Sequence, residues 1–336
     1  MRKSKKGLYD DRPPSNFIPL LLGAGMLLLC FISCMGVMRW NMHRADLDYA
    51  RTGTPLGVQR FIYVGTPVPV LGKVVSISDQ SRPLKGSLIF TASDGVLYRF
   101  SAPHTLANPT VTLIPDLQGW GLSVFGQRLA GVCPNGEVCV RLDNDAPLHS
   151  LKVQGTILAW GADGETVYYY THTEGTHTLH RATIQNDSTW DMITLKGLSL
   201  PILPIFDPAT GRILIADWDK QKGTTTLFTI PADCVGDAQC RSQKQVISTL
   251  AHAITSADYH PSAMYLAYSD FTGAIYLMNT RDGSTQFVVG GTDPTFSPDG
   301  AQLAFLNGSN MIQLMDLSDM TVIDLGIPAL SVAWME

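Results

Sequence analysis

The chain has 336 residues, 45% of them hydrophobic and only 16% charged, a balance that excludes an intrinsically disordered chain and leaves apolar mass for a sizeable core. The 30 glycines and 20 prolines mark many turns, which at this length points to an all-β build. Formal net charge is −5 while the N-terminal segment is net basic, so the body is net acidic, lacks the basic footprint that nucleic acid requires, and none is expected as a partner.

Residues 1–16 form a basic tail, with Arg2, Lys3, Lys5, Lys6 and Arg12 against Asp10 and Asp11. Residues 17–38 (FIPLLLGAGMLLLCFISCMGVM) then run without Asp, Glu, Lys or Arg until Met38. A helix takes roughly 20 such residues to cross a bilayer. Pro19 falls in the first turn, where its missing N–H breaks no helical hydrogen bond, and Asn16 serves as cap. The basic excess on the N-terminal side predicts a signal anchor, with the tail in the cytoplasm and the body outside a single-pass cell membrane. Two rivals stand beside it. A cleaved signal peptide is disfavoured by the length of the apolar run and the lack of a small-x-small site. A lipoprotein is raised by Phe31-Ile32-Ser33-Cys34, but Met35, Gly36, Val37 and Met38 carry the apolar run onward. Residues 39–57 are polar, end in Gly and Pro, and read as a juxtamembrane stalk.

From residue 58 to residue 336 the pattern is of short strands with no helical period. Within 58–85, RFIYV and KVVSIS leave room for an extra blade. Beyond it one order recurs, clearest in DPTFSPDGAQLAFLNGSNMIQLMDLSDMTVIDLG from Asp293: strand, turn, strand, turn, strand, turn, strand. Ser297-Pro298-Asp299-Gly300 fits a type I turn, with Pro presetting φ, Ser bonding back to the backbone and Gly closing it. First strands end on an aromatic at Phe125, Trp160, Phe206, Tyr259 and Phe296. Six second strands begin at Ser87, Arg128, Thr166, Ile213, Met264 and Gln302, and six third strands at Val96, Glu137, His177, Thr225, Ala274 and Met311. Four antiparallel strands repeated at about 40 residues are the signature of a β-propeller. The unit starting at Ser87 lacks a first strand, whereas LSVAW, from Leu330 to Trp334, is a first strand with no blade after it. The expected fold is therefore all-β, a six-bladed propeller closed by the C-terminal strand and preceded by one transmembrane helix, with seven blades as the alternative.

The FSPDG corner followed by QLAFL resembles the TolB-type, WD-like propeller repeat of bacterial envelope proteins, over residues 86–336. The GH and WD dipeptides of eukaryotic repeats are absent. The resemblance implies a propeller used for protein or ligand contact and transfers no catalytic residue.

Four of the six cysteines fall in matched spacings, Cys133 with Cys139 and Cys234 with Cys240. Neither is the CxxC of zinc or redox sites. In an exported body they read as two local disulfides in preference to free thiols. A two-residue turn at Asn135-Gly136 puts Cys133 out of register with Cys139, so the bridge demands a three- or five-residue loop.

Four chemistries have candidate residues on the loops. His172 and His177 face each other across a hairpin while His180 points to the opposite face, too few ligands for zinc. Asp143-Asn144-Asp145 runs into Ala146-Pro147 and fails the calcium-loop pattern. Asp217 and Asp219 flank Trp218 and are the candidate carboxylate pair for glycoside hydrolysis. Gly121-Leu122-Ser123-Val124-Phe125-Gly126 misses a nucleophile elbow by one residue. No catalytic residue, cofactor or metal is therefore assigned. The expected function is a membrane-anchored, extracytoplasmic scaffold for an unidentified protein or small ligand, the alternative a propeller hydrolase acting on an envelope carbohydrate or peptide.

Overall fold

The computed structural model describes residues 74–76 and 84–335, less 103–105, 107–108, 144–145, 174, 197–204 and 208. The expected membrane helix and stalk lie outside the described residues. No helix among the described residues is long and apolar enough to cross a membrane.

Strand β1 (Val74–Ser76) stands apart from the ring's regular order. Blade 1 takes β2 (Ser87–Thr91), β3 (Val96–Ser101) and the first half of β4 (Thr110–Phe125). Blade 2 takes the second half of β4, β5 (Arg128–Val132), β6 (Glu137–Arg141) and β7 (His149–Gln154). Blade 3 is β8 (Thr156–Trp160), β9 (Thr166–Thr173), β10 (Thr176–Thr183) and β11 (Thr189–Lys196). Blade 4 is β12 (Ile205–Asp207), β13 (Arg212–Asp219), β14 (Thr224–Pro231) and β15 (Gln245–Leu250), with a short helix α1 (Asp237–Ser242) between the last two. Blade 5 is β16 (Ile254–Tyr259), β17 (Tyr265–Asp270), β18 (Ala274–Asn279) and β19 (Thr285–Gly290). Blade 6 is β20 (Thr292–Phe296), β21 (Gln302–Leu306), β22 (Met311–Asp316) and β23 (Val322–Pro328). The last strand, β24 (Ser331–Met335), is the innermost strand of blade 1: Leu88 stands opposite Trp334 and Thr91 opposite Ser331.

Blades 1 and 2 share one ladder because β4 serves both. Its first half pairs with β3, from Thr110 opposite Ser101 to Ile114 opposite Leu97. Its second half pairs with β5, from Ser123 opposite Ala130 to Phe125 opposite Arg128. The seven-blade alternative is corrected by β1. The KVVSIS segment starts no blade; Val74, Val75 and Ser76 pair in parallel with Val322, Ile323 and Asp324, adding a fifth strand outside blade 6. A parallel partner on an outer edge needs no blade of its own, which is why strand composition alone left the count open. RFIYV lies outside the described residues.

The core is divided among the seams. Because side chains alternate faces along a strand, Tyr168 and Tyr170 pack towards blade 4 with Ile213, Ile215 and Phe228. Tyr169 between them packs towards blade 2 with Val138 and Val140. Six such apolar clusters each fill one seam of the ring.

Inner strands are stapled across the seams by side chains bonding the next blade's backbone. Trp160 donates its main-chain N–H to Ser123 Oγ at 3.2 Å and its Nε1–H to the Ser123 carbonyl at 3.2 Å. Phe296 N–H donates to Asp258 Oδ2 at 2.8 Å, and Val332 N–H to Asp293 Oδ2 at 2.8 Å. The first corners interlock as well. At Ser297-Pro298-Asp299-Gly300 the Gly300 N–H bonds the Ser297 carbonyl at 2.8 Å, as the type I turn requires. Gly300 sits at φ +72°, and a Cβ there would run into the His260 ring of blade 5.

Candidate functional site

The two disulfides do different work. Cys133–Cys139 closes the β5–β6 hairpin, with Cα atoms 5.7 Å apart. Gly136 N–H bonds the Cys133 carbonyl and Cys133 N–H the Glu137 carbonyl, each at 2.8 Å, so the loop is the three residues 134–136. Gly131 then stands opposite Cys139, and Cys133 meets its partner diagonally on the same face.

Cys234–Cys240, with Cα atoms 5.3 Å apart, pins α1 into the core between blades 3 and 4. By sequence α1 belongs to blade 4, yet its polar groups reach β11, the outer strand of blade 3. Gly236 N–H donates to the Asp191 carbonyl at 2.8 Å. Thr194 N–H donates to Asp237 Oδ1 at 2.9 Å, and Arg241 Nη2 donates to the Thr194 carbonyl. The strap thereby blunts an edge that would otherwise offer free backbone groups. Arg241 also holds Asp237 across one turn at 2.8 Å.

Beside the strap, an open groove of about 310 Å³ is lined by Leu195, Asp217, Asp237 and Arg241. Strand alternation puts Asp217 on the same face as Ile213 and Ile215, towards blade 3. Beneath it Tyr170 is buried, its hydroxyl without a hydrogen-bond partner; burial and the nearby Asp217 carboxylate push its pKa up. Lys244 lies over the Phe228 ring at 3.8 Å, and burial lowers its pKa against the attraction of Asp217.

The sequence candidates scatter. Asp219 does not join Asp217 as a second catalytic acid: it accepts the N–H groups of Gln221 and Lys222, at 3.0 and 3.1 Å, and pairs with Lys222 Nζ at 3.0 Å. It builds the β13–β14 turn. Ser123 is spent on the inner-strand staple, and Asn144 and Asp145 lie outside the described residues. His172 stands opposite His177, with ring centroids 4.5 Å apart; burial, then the neighbouring imidazole, pull His177 down to about 4.

Sequence reasoning missed one constellation. His180, on the opposite face as its parity requires, takes the Thr171 hydroxyl on Nε2 at 2.7 Å and gives Nδ1–H to Asp191 Oδ1 at 2.9 Å. Its ring stacks on Tyr169 with centroids 5.0 Å apart, and burial lowers its pKa despite Asp191. This is the hydroxyl, imidazole, carboxylate order of a nucleophilic triad, although the Asp191 side chain is 80% exposed. Only the β10–β11 register brings Asp191 beside His180, and a bulge there defeats simple strand counting.

On the inner strands β16 and β20, Asp258 and Asp293 are half-buried and reach across the seam to the next blade. Burial pushes both up to about 6, with Asp258 adding repulsion at Asp293.

These features define a six-bladed β-propeller with a disulfide-held strap across one seam. No family model and no curated protein matches the chain. Among solved structures it is similar to TolB from Acinetobacter baumannii, with a TM-score of 0.59 and 10% identity over 74% of this chain and 66% of that one. It is similar also to a chain of a nidogen/laminin complex, with a TM-score of 0.56 and 12% identity over 74% of this chain and 97% of that one. A putative TolB from Agrobacterium tumefaciens gives 0.52 and 14%, over 74% and 92%. At such identities the likeness shows the fold alone.

Proposed function

We propose that this protein is a membrane-anchored, extracytoplasmic propeller that acts as a protein-interaction scaffold. The observation that carries the reading is where its reactive-looking side chains go. Asp219, Asp270 and Asp299 accept main-chain N–H groups of their own turns, and Asp258 and Asp293 staple blades, so the acids build the ring and leave its loops for contact. The TolB-like fold supports the same use. Two disulfides support an oxidising compartment, and the basic tail before residues 17–38 supports an inward N-terminus.

Cross-linking in intact cells, followed by capture of the full-length chain in mild detergent, should recover a defined protein partner that a scrambled-loop variant loses. Protease added to spheroplasts should cut the body; protection until lysis would overturn the topology. The hydrolase reading is favoured by one observation, the Thr171–His180–Asp191 chain. It requires that the protein turn over activated esters and that His180→Ala abolish this; no turnover above the variant's would leave the scaffold reading alone.

A further inference from the structure

We propose that the outer edge of blade 3 is a docking surface for an extended peptide strand, closed by the α1 strap and opened by reduction of the Cys234–Cys240 bond. The inference rests on the scaffold reading and names where and how contact is made.

The strap imitates a strand. Asp237 accepts the Thr194 N–H, and Arg241 and Gly236 donate to the carbonyls of Thr194 and Asp191, so it meets the backbone groups that an added strand would meet. The ladder skips Met192, with Leu179 opposite Ile193 and His180 opposite Asp191, which turns both Asp191 and Thr194 outward. What replaces such a cover is main chain itself, because the groups exposed are one N–H and two carbonyls in edge positions. This protein already uses the mode: β1 adds in parallel to the outer strand of blade 6 over three residue pairs. The groove lined by Leu195, Asp217, Asp237 and Arg241 runs beside the same edge and takes a side chain of the incoming strand.

The strap does not hold itself. A six-residue helix is far below the length at which helices are stable alone, and Gly236 at its start offers no side-chain cap. Beyond its three hydrogen bonds to β11, its anchors are the bridge, with Cys234 and Cys240 both buried in the seam, and the Tyr168 hydroxyl bonded to the Ala232 carbonyl at 3.0 Å. Reduction by a dithiol breaks the S–S bond, takes two electrons and two protons, and leaves two protein thiols and one oxidised dithiol. With the cross-link gone, the strap regains chain entropy and releases the edge.

The test uses the full-length chain in detergent carrying Cys133→Ser and Cys139→Ser, so that only the second bridge responds. On adding dithiothreitol, amide exchange in Thr189–Lys196 should speed up by about tenfold or more while β22 stays protected. A fluorescent peptide of residues 71–78 (LGKVVSIS), the segment that includes β1, should bind the reduced form about tenfold tighter than the oxidised form. Cys234→Ser with Cys240→Ser should behave as reduced without the reagent. Unchanged β11 exchange, loss of protection throughout the ring, or binding insensitive to redox state would each overturn the proposal. Dimerisation of the reduced chain through β11 in place of peptide binding would overturn the choice of occupant. Partner capture that persists through these failures would leave the scaffold reading standing.

Discussion

Gly300 carries two requirements at once, a left-handed φ and an empty Cβ position against His260. The turn chemistry of SPDG accounts for the first and the neighbouring blade for the second, so Gly300→Ala should destabilise by more than the roughly 1 kcal/mol typical of a backbone-strained substitution. Denaturant titration checks this; a smaller loss would mean that His260 moves aside freely. On the inner strands, Asp258 and Asp293 are pushed up to about 6 by burial, above the ordinary carboxylate value that they recover on unfolding. The folded state therefore holds these protons more tightly, so their ionisation penalty is full above pH 6 and vanishes as pH falls towards 4. Tm should rise from pH 7 to pH 5, and Asp293→Asn, which keeps an oxygen for Val332 N–H, should flatten that rise. Asp299 works in the opposite sense. Held at about 2, first by the hydrogen bond from Lys85, it contributes stability above pH 4 that is lost as pH falls through 2.

At the level of elements, the strand starts at Ser87, Arg128, Thr166, Val96, Glu137 and Gln302 were legible because turn residues and short apolar runs are local properties. The disulfide geometry at Cys133 was legible for the same reason, since loop length alone sets which residues face each other. Mass spectrometry without reduction should find Cys133 linked to Cys139 and Cys234 to Cys240. Each short loop contributes about 2 kcal/mol by chain entropy. The C-terminal strand can be tested directly. Trp334 is 7% exposed and donates Nε1–H to the Lys85 carbonyl at 2.7 Å. Trp334→Ala should cost about 3 to 5 kcal/mol, a large share of the roughly 5 to 15 kcal/mol that holds a typical domain. Removing residues 328–336 should cost more, because it also strips the hydrogen bonds of β2. Equal melting temperatures for these variants and the parent would mean that β24 is a free tail. What remained illegible were α1's crossing to blade 3, β1's parallel addition and the triad at His180. Each depends on a partner distant in sequence or on a bulge that shifts parity.

For the whole molecule, the composition, the repeat of about 40 residues and the unpaired first-strand pattern at Leu330 determined an all-β ring of like units, since periodicity reports which residues must be buried and how often. Tertiary structure decided the rest. The exclusion of a seventh blade, the sharing of β4 between blades 1 and 2, the fate of KVVSIS and the separation of Asp217 from Asp219 in role all follow from which edges meet when the ring closes. The physical reason is that a strand's own residues dictate its faces, whereas its edges are satisfied by any backbone of suitable geometry. Sequence therefore specifies the seams between blades, and only the folded ring specifies what lies along their outer edges.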